Sequence, residues 1–133
     1  MSEHALVFVY GTLRKGGRAY SRMADARFVS FACMKGRLVY VDRYPGLVGG
    51  DEKVVGEVYE VSPAVLRQLD EYEGCFLDPP DYVREGRECV MDSGEVQHVQ
   101  VYIYQGEGSG EYTMPHGDWM ELMQEYPELN SFE

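Results

Sequence analysis

The first apolar segment of the chain, Ala5 to Tyr10, sets the strongest limit on the fold. Its letters are ALVFVY, with no charged residue among them, and Gly11 ends the run. Six residues suit a strand better than a helix, and an apolar strand without polar alternation is covered on both faces. The chain therefore needs a sheet whose first strand is enclosed by other elements.

Further strand patterns follow, separated by glycine, proline and acidic turn residues. We predict strands at Phe28 to Phe31, Arg37 to Val41, Val54 to Val61, Tyr82 to Met91 and Val96 to Tyr104. A turn at Tyr44-Pro45-Gly46 is expected to end one of them, and Asp92 to Glu95 is expected to join the last two. Short helices are predicted at Arg18 to Met23 and Asp118 to Tyr126. The pattern indicates an α+β chain around a curved sheet or small barrel, in a single domain over residues 1–133.

The charge and cysteine content argue against several classes of function. Aspartate and glutamate outnumber lysine and arginine by 23 to 12, which gives a net charge of −11. Nucleic acids and anionic membrane surfaces both require clustered lysine and arginine, so neither is expected as a partner. The three cysteines include no CxxC pair and the three histidines are scattered, so we predict no disulfide framework and no metal site. Because we see no signal-peptide pattern and no apolar run that could span a bilayer, we expect a cytoplasmic protein.

One helix is well defined and carries a carboxylate on its apolar side. Ser62 suits the N-cap, Pro63 the first helical position, and Gly74 the stop. The apolar arc of the helical wheel, at about 100° per residue, contains Val65, Leu66, Leu69 and Tyr72. Glu73 falls inside this arc, whereas Asp70 lies near its edge. Burial and the negative end of the helix dipole would raise the pKa of Glu73 and make it a stronger base. If the helix ended at Asp70, Glu73 would instead point into water.

The segment after the first strand, Tyr10 to Arg14, turns through a glycine. Successive backbone N–H groups in such a turn can bind an anion, and the missing side chain of Gly11 lets a ligand approach closely. The segment is not a phosphate-binding P-loop, because Gly17 stands where lysine is needed. It is not a dinucleotide fingerprint, because Leu13 stands where glycine is needed. The alternative is an ordinary strand-to-loop turn.

Several motifs, in this order, resemble the gamma-glutamyl cyclotransferase-like proteins. They are YGTLR at Tyr10 to Arg14, GEVYEV at Gly56 to Val61, LDEYEG at Leu69 to Gly74, Tyr82-Val83-Arg84, and His116-Gly117-Asp118-Trp119. The resemblance covers nearly the whole chain and is nearest to the gamma-glutamylamine cyclotransferases, with which the chain shares the YGTL turn. It implies a small mixed β-barrel with two or three short helices and an interior cavity that opens beside that turn.

By carry-over from the family, Glu73 is the catalytic acid/base. The substrate is held by Tyr10, Gly11, Thr12 and Leu13. The implied substrate is a small-molecule gamma-glutamyl amine or amide, whose own α-amino group attacks the γ-carbonyl and releases 5-oxoproline and the free amine. Such an intramolecular attack needs no cofactor, metal or enzyme nucleophile. The stretch from Leu77 to Pro80 departs from the family pattern, which leaves the leaving group open.

Three other interpretations fit the same residues. A non-catalytic module could bind a glutamyl-like molecule in the same pocket, and calorimetric binding without product release would favour it. A hydrolase could use Glu73 together with Asp70, in which case Asp70→Asn would be as damaging as Glu73→Gln. A purely structural or interaction domain would leave Glu73 exposed. The sequence leaves the oligomeric state open.

Overall fold

The computed structural model describes residues 4–41, 44–106, 114 and 116–125 of the chain. The strands in these residues are β1 (Ala5–Val9), β2 (Arg27–Val41), β3 (Tyr44–Val61), β4 (Tyr82–Met91) and β5 (Val96–Tyr104). The helices are a short 3-10 helix (Tyr20–Met23), α1 (Pro63–Tyr72) and α2 (Trp119–Glu125).

The strands close into a barrel in the order β1-β3-β2-β4-β5. The antiparallel β2–β3 ladder runs along nearly the whole of both strands. Strand β5 pairs with β4 in an antiparallel ladder. It closes the barrel through two parallel contacts, between Val7 of β1 and Gln100 and between Leu47 of β3 and Ile103. The predicted α+β fold, a small mixed barrel with two or three short helices, is confirmed.

Two long strands replace the shorter segments predicted for the middle of the chain. Phe28–Phe31 and Arg37–Val41 are both parts of β2. The predicted turn at Tyr44-Pro45-Gly46 is wrong, since these residues pair with β2 as the first part of β3. The pairing register shifts between Gly36 and Arg37, and such an irregularity bends a strand without ending it.

Strand β1 is covered on both faces, as its sequence predicts. Phe8 belongs to a buried cluster that includes Trp119 and Leu122 of α2. Val7 and Val9 belong to a second cluster, which includes residues of α1 and of the 3-10 helix. Burying a large apolar side chain contributes roughly 1.5–3 kcal/mol. The end of β1 is therefore held in place by two apolar layers.

Helix α1 begins and ends where the sequence predicts. The hydroxyl of Ser62 accepts a hydrogen bond from the N–H of Val65 at 3.2 Å, and Pro63 is the first helical residue. At the other end Gly74 has φ +78°, a conformation that residues with a Cβ rarely adopt. Glu73 is the C-cap residue immediately before this turn, so its position depends on where the helix stops.

The C-terminal helix α2 runs from Trp119 to Glu125, within the predicted range of Asp118 to Tyr126. A carboxylate oxygen of Asp118 accepts a hydrogen bond from the N–H of Glu121 at 3.2 Å and so caps the helix. Tyr126 lies outside the described residues. No helix among the described residues is long and apolar enough to cross a membrane.

Candidate active site

A pocket lies where β1 runs into the loop that follows it. It is lined by Phe8, Val9, Tyr10, Gly11, Thr12, Leu13, Glu73 and Tyr102. The structure thus brings the five residues predicted from the sequence to one place, while their roles stay predictions. The empty space is about 270 Å³ with the open mouth included.

Glu73 reaches the pocket from the end of α1. Its side chain is partly buried, and no residue in the described part of the chain forms a hydrogen bond or ion pair with its carboxylate. Burial raises the pKa of Glu73 from 4.5 to about 8, because the site excludes the water that would stabilise the charge. A carboxylate with this pKa can accept and return a proton near neutral pH.

Three tyrosine hydroxyls lie near Glu73 without donating to it. Burial is the main cause that raises the pKa of Tyr10, Tyr82 and Tyr102, and the charge of Glu73 adds to the rise in all three. Tyr10 donates to the backbone carbonyl of Tyr102 at 2.7 Å, Tyr82 to the carbonyl of Pro45 at 3.0 Å, and Tyr102 to Asp70 at 2.7 Å. Each phenol proton is therefore already used, which agrees with the high pKa of Glu73.

Asp70, on α1 before Glu73, is buried and fully engaged. The Nε of Arg84 donates to Oδ1 at 2.8 Å and its Nη2 donates to Oδ2 at 3.2 Å. The helical wheel places Asp70 near the edge of the apolar arc, but only 8% of its surface is exposed. The wheel is misleading here because the partner Arg84 comes from β4, and a local pattern cannot show a contact between distant elements. The Tyr-x-Arg motif was the only sequence signal for it.

The loop after β1 is held in shape by its own backbone and by α1. The N–H of Arg14 donates to the carbonyl of Gly11 at 3.0 Å. The N–H groups of residues 11–13 meet no acceptor within the described ranges, so they are available to a ligand. The hydroxyl of Thr12 lies 3.2 Å from that of Tyr72, which joins the loop to the helix that carries Glu73.

Gly11 is required by the close approach of Pro45. A Cβ at position 11 would collide with the proline ring. Because the carbonyl of Pro45 accepts the hydrogen bond from Tyr82, the same contact links the loop to the tyrosines around Glu73.

Arg14 anchors the loop to the barrel. Its Nε donates to Oε2 of Glu57 at 2.9 Å, and its Nη1 donates to Oδ1 of Asp118 at 3.0 Å. Arg14 and Glu57 are both buried, so the loss of Arg14 would leave the charge of Glu57 uncompensated in the interior. The sequence analysis missed this anchor, because its partners lie 43 and 104 residues further along the chain.

One group of possible metal ligands lies away from the pocket residues, on and before α2. Ligand atoms of His116, Glu121 and Glu125 lie within 4.8 Å of one another. The Nδ1 of His116 accepts the N–H of Asp118 at 3.2 Å, so a neutral ring carries its proton on Nε2. That nitrogen lies 3.1 Å from Glu125 and donates to it, which leaves no lone pair for a metal in this arrangement.

Comparison with known proteins identifies the group to which the molecule belongs. The family model described as "Gamma-glutamyl cyclotransferase, AIG2-like" matches residues 7–121, a range that contains every residue lining the pocket. This chain belongs to that family. The resemblance inferred from the sequence motifs is confirmed, and the protein is an enzyme of the gamma-glutamylcyclotransferase type.

Several relatives of this gamma-glutamyl cyclotransferase family member match it over most of their length. The gamma-L-glutamyl-butirosin B gamma-glutamyl cyclotransferase of Niallia circulans is 34% identical over 91% of this chain and 85% of its own length. The gamma-glutamylaminecyclotransferase of Rattus norvegicus is 31% identical over 80% of this chain and 69% of its own. The crystal structure of an AIG2-like protein from Mus musculus has a TM-score of 0.71 and 28% identity, over 86% of this chain and 88% of that one.

Proposed function

We propose that the protein converts a gamma-glutamyl amine or amide into 5-oxoproline and the free amine, with Glu73 as the general acid/base. The observation that carries this proposal is the position of Glu73, a carboxylate without a partner among the described residues, with a pKa of about 8, in the same pocket as the loop Tyr10–Leu13. The names of the relatives from Niallia circulans and Rattus norvegicus support this class of substrate.

The proposed reaction moves two protons from the α-nitrogen of the substrate to the leaving nitrogen, one after the other, through Glu73. Glu73 takes a proton from the substrate's α-ammonium, whose pKa is about 8 in a simple model compound. The freed amine attacks the γ-carbonyl carbon and forms the new C–N bond of a five-membered ring. Glu73 gives this proton to the leaving nitrogen and takes a second proton from the ring nitrogen. The bond to the leaving amine then breaks, and Glu73 passes the second proton to that amine, which departs as an ammonium. The atoms balance without water or a co-reactant.

The pKa of Glu73 suits both halves of this cycle. A solvated glutamate with a pKa near 4 would be too weak a base to take a proton from an ammonium group. At about 8, the pKa of Glu73 is close to that of the α-ammonium, so transfer in either direction costs little free energy. Because the attack is intramolecular, orientation within the pocket supplies much of the remaining rate enhancement.

The loop after β1 supplies hydrogen-bond donors, in contrast to Glu73, which accepts. The backbone N–H groups of residues 11–13 are suited to the substrate's α-carboxylate or to the oxygen of the γ-carbonyl as it gains negative charge. The side chain of Tyr10 is not available for this role. Its hydroxyl already donates to Tyr102 and accepts from the N–H of Leu47 at 3.1 Å.

The test is a panel of gamma-glutamyl compounds that differ in the leaving amine. It should include a gamma-glutamyl dipeptide, a gamma-glutamyl alkylamine and the isopeptide of a lysine side chain, with 5-oxoproline measured by mass spectrometry. We expect release from at least one member of the panel. Calorimetric binding of panel members without release of 5-oxoproline would favour the non-catalytic binding module and overturn the proposal.

The hydrolase that pairs Glu73 with Asp70 is disfavoured by the geometry. Both oxygens of Asp70 are held by Arg84, and one also accepts the Tyr102 hydroxyl, so this carboxylate is not available to activate water. The cytoplasmic location stays a prediction.

A further inference from the structure

The direction of one hydrogen bond beside Glu73 is fixed by charge. The carboxylate of Asp70 forms a two-point ion pair with Arg84, and an ionised carboxylate can only accept hydrogen bonds. The hydroxyl of Tyr102, 2.7 Å from Oδ1 of Asp70, must therefore be the donor. Its single proton points at Asp70, and its oxygen offers only lone pairs to anything else.

Tyr102 is held at both ends. Its backbone carbonyl accepts the hydroxyl of Tyr10 at 2.7 Å, while its own hydroxyl is fixed by Asp70. It is almost fully buried and lines the pocket together with Glu73. A rigid acceptor thus lies in the same pocket as the proposed base.

A gamma-glutamyl substrate presents two ionic groups at its α-carbon, an ammonium that only donates and a carboxylate that only accepts. The pocket is divided in the same way. The backbone N–H groups of residues 11–13 are donors, whereas Glu73 and the Tyr102 oxygen are acceptors. A carboxylate placed against Tyr102 would meet lone pairs, while an ammonium can give one N–H to Glu73 and another to Tyr102.

We propose that Tyr102 binds the substrate's α-ammonium through its hydroxyl oxygen, and that Asp70, fixed by Arg84, is a positioning residue that keeps this oxygen an acceptor. The inference rests on the proposed function, since it assigns part of the same substrate. It makes Tyr102 a determinant of specificity for compounds with a free α-amino group.

The experiment uses two ligands that cannot cyclise because they lack the γ-carbonyl. One is an L-2-amino-5-alkoxypentanoic acid and the other is the 5-alkoxypentanoic acid without the amino group. Calorimetry on the wild type, Tyr102→Phe and Tyr59→Phe gives a ratio of the two dissociation constants for each protein. Tyr59→Phe is a matched control, because it too removes a tyrosine hydroxyl that donates to a buried carboxylate, but Tyr59 does not line this pocket.

We expect Tyr102→Phe to weaken binding of the amino ligand about ten-fold or more, the usual contribution of a hydrogen bond to a charged group. Binding of the ligand without the amino group should stay within about two-fold, and the control should leave the ratio unchanged. Equal losses for the two ligands in Tyr102→Phe would overturn the proposal, since they would indicate a merely structural role.

Asp70→Asn tests the positioning role. An asparagine can donate its NH₂ to the Tyr102 oxygen, which turns the phenol proton towards the pocket and removes the acceptor. This variant should also weaken binding of the amino ligand selectively. The double variant Asp70→Asn with Tyr102→Phe should lose no more affinity for that ligand than Tyr102→Phe alone. Additive losses would overturn the role of Asp70. If Asp70→Asn does not fold, the ligand ratio of Tyr102→Phe decides the assignment to Tyr102.

The same measurements separate this inference from the proposed function. A wild-type protein that binds neither ligand and releases no 5-oxoproline contradicts both. A wild-type protein that releases 5-oxoproline, with a Tyr102→Phe variant that keeps the wild-type ligand ratio, contradicts only the assignment of Tyr102.

Discussion

Two glutamates near the start of the barrel lie in contrasting environments. The carboxylate of Glu57 on β3 accepts hydrogen bonds from Arg14 at 2.9 Å, from the N–H of Lys15 at 3.0 Å and from the hydroxyl of Tyr59 at 2.8 Å. Glu73 has three tyrosine hydroxyls nearby and receives none of their protons. Both glutamates lie close to the loop after β1: Glu73 lines the pocket with Tyr10–Leu13, and Glu57 binds the residues that follow, Arg14 and Lys15.

In the proposed mechanism, this difference separates a supporting carboxylate, Glu57, from a catalytic one, Glu73. Glu57 has a cation and two neutral donors, so its charge is compensated and it can hold the loop. Glu73 lacks such partners among the described residues, and its pKa rises to about 8 as a result of burial. A carboxylate that is costly to ionise is a poor structural element but a useful base.

The largest expected effect is on catalysis, through Glu73. Glu73→Gln should keep the fold and lower kcat at least about 100-fold, because an amide cannot accept and return the proton. The measurement is 5-oxoproline release under saturating substrate. Glu71→Gln, on the exposed side of the same helix, is the control and should retain near-wild-type kcat. Equal rates for wild type and Glu73→Gln would remove the base from the mechanism.

The next largest effect is on stability, through the ion pair of Arg14 with Glu57. Arg14→Met should lower the free energy of unfolding by about 3 kcal/mol, because Glu57 would keep a buried charge without its cation. Urea denaturation followed by circular dichroism would measure this loss. Arg14→Lys should recover part of it, since lysine restores the charge but not both contacts. A loss below about 0.5 kcal/mol would mean that Glu57 is not an anchor.

A pH-dependent difference in stability should distinguish Glu73 from an ordinary glutamate. Because its folded pKa is raised from 4.5 to about 8, the folded state holds an extra proton between these values, and stability falls as pH rises through them. Glu73→Gln should therefore become more stable relative to wild type from pH 5 to pH 9, by about 2 kcal/mol after allowance for partial exposure. Thermal unfolding at the two pH values measures the shift. A constant difference would contradict the raised pKa.

The smallest effect concerns one donor to Glu57. Tyr59→Phe removes one of three hydrogen bonds and should cost about 1 kcal/mol of unfolding free energy. We expect kcat to change less than two-fold, because Tyr59 does not line the pocket. A large fall in kcat with unchanged stability would mean that the two carboxylate sites are coupled.

Features that depend on neighbours in the chain could be predicted from the sequence. The cap at Ser62, the stop at Gly74 and the apolar run of β1 follow from local stereochemistry and from the absence of polar alternation. The same reasoning predicted that Glu73 lies on the apolar side of α1. These patterns predict the elements and one site residue without knowledge of the barrel.

Contacts between distant segments could not be predicted in this way. The ion pair of Asp70 with Arg84 forms across two elements, and no periodicity encodes it. The continuous strand β2 was also missed, because the shift at Gly36 interrupts the pattern without interrupting the ladder. The closed barrel and the five-residue site were inferred from a family resemblance, since propensity alone does not specify which strands become neighbours.

The contact between Gly11 and Pro45 limits how specificity can evolve at this site. Any side chain at position 11 would displace the proline ring and, through its carbonyl, the hydroxyl of Tyr82. A mutation there would disturb the loop and this tyrosine at once, so it is a poor starting point for gradual change of the substrate. New preferences for the departing amine should therefore arise through segments that this contact does not constrain.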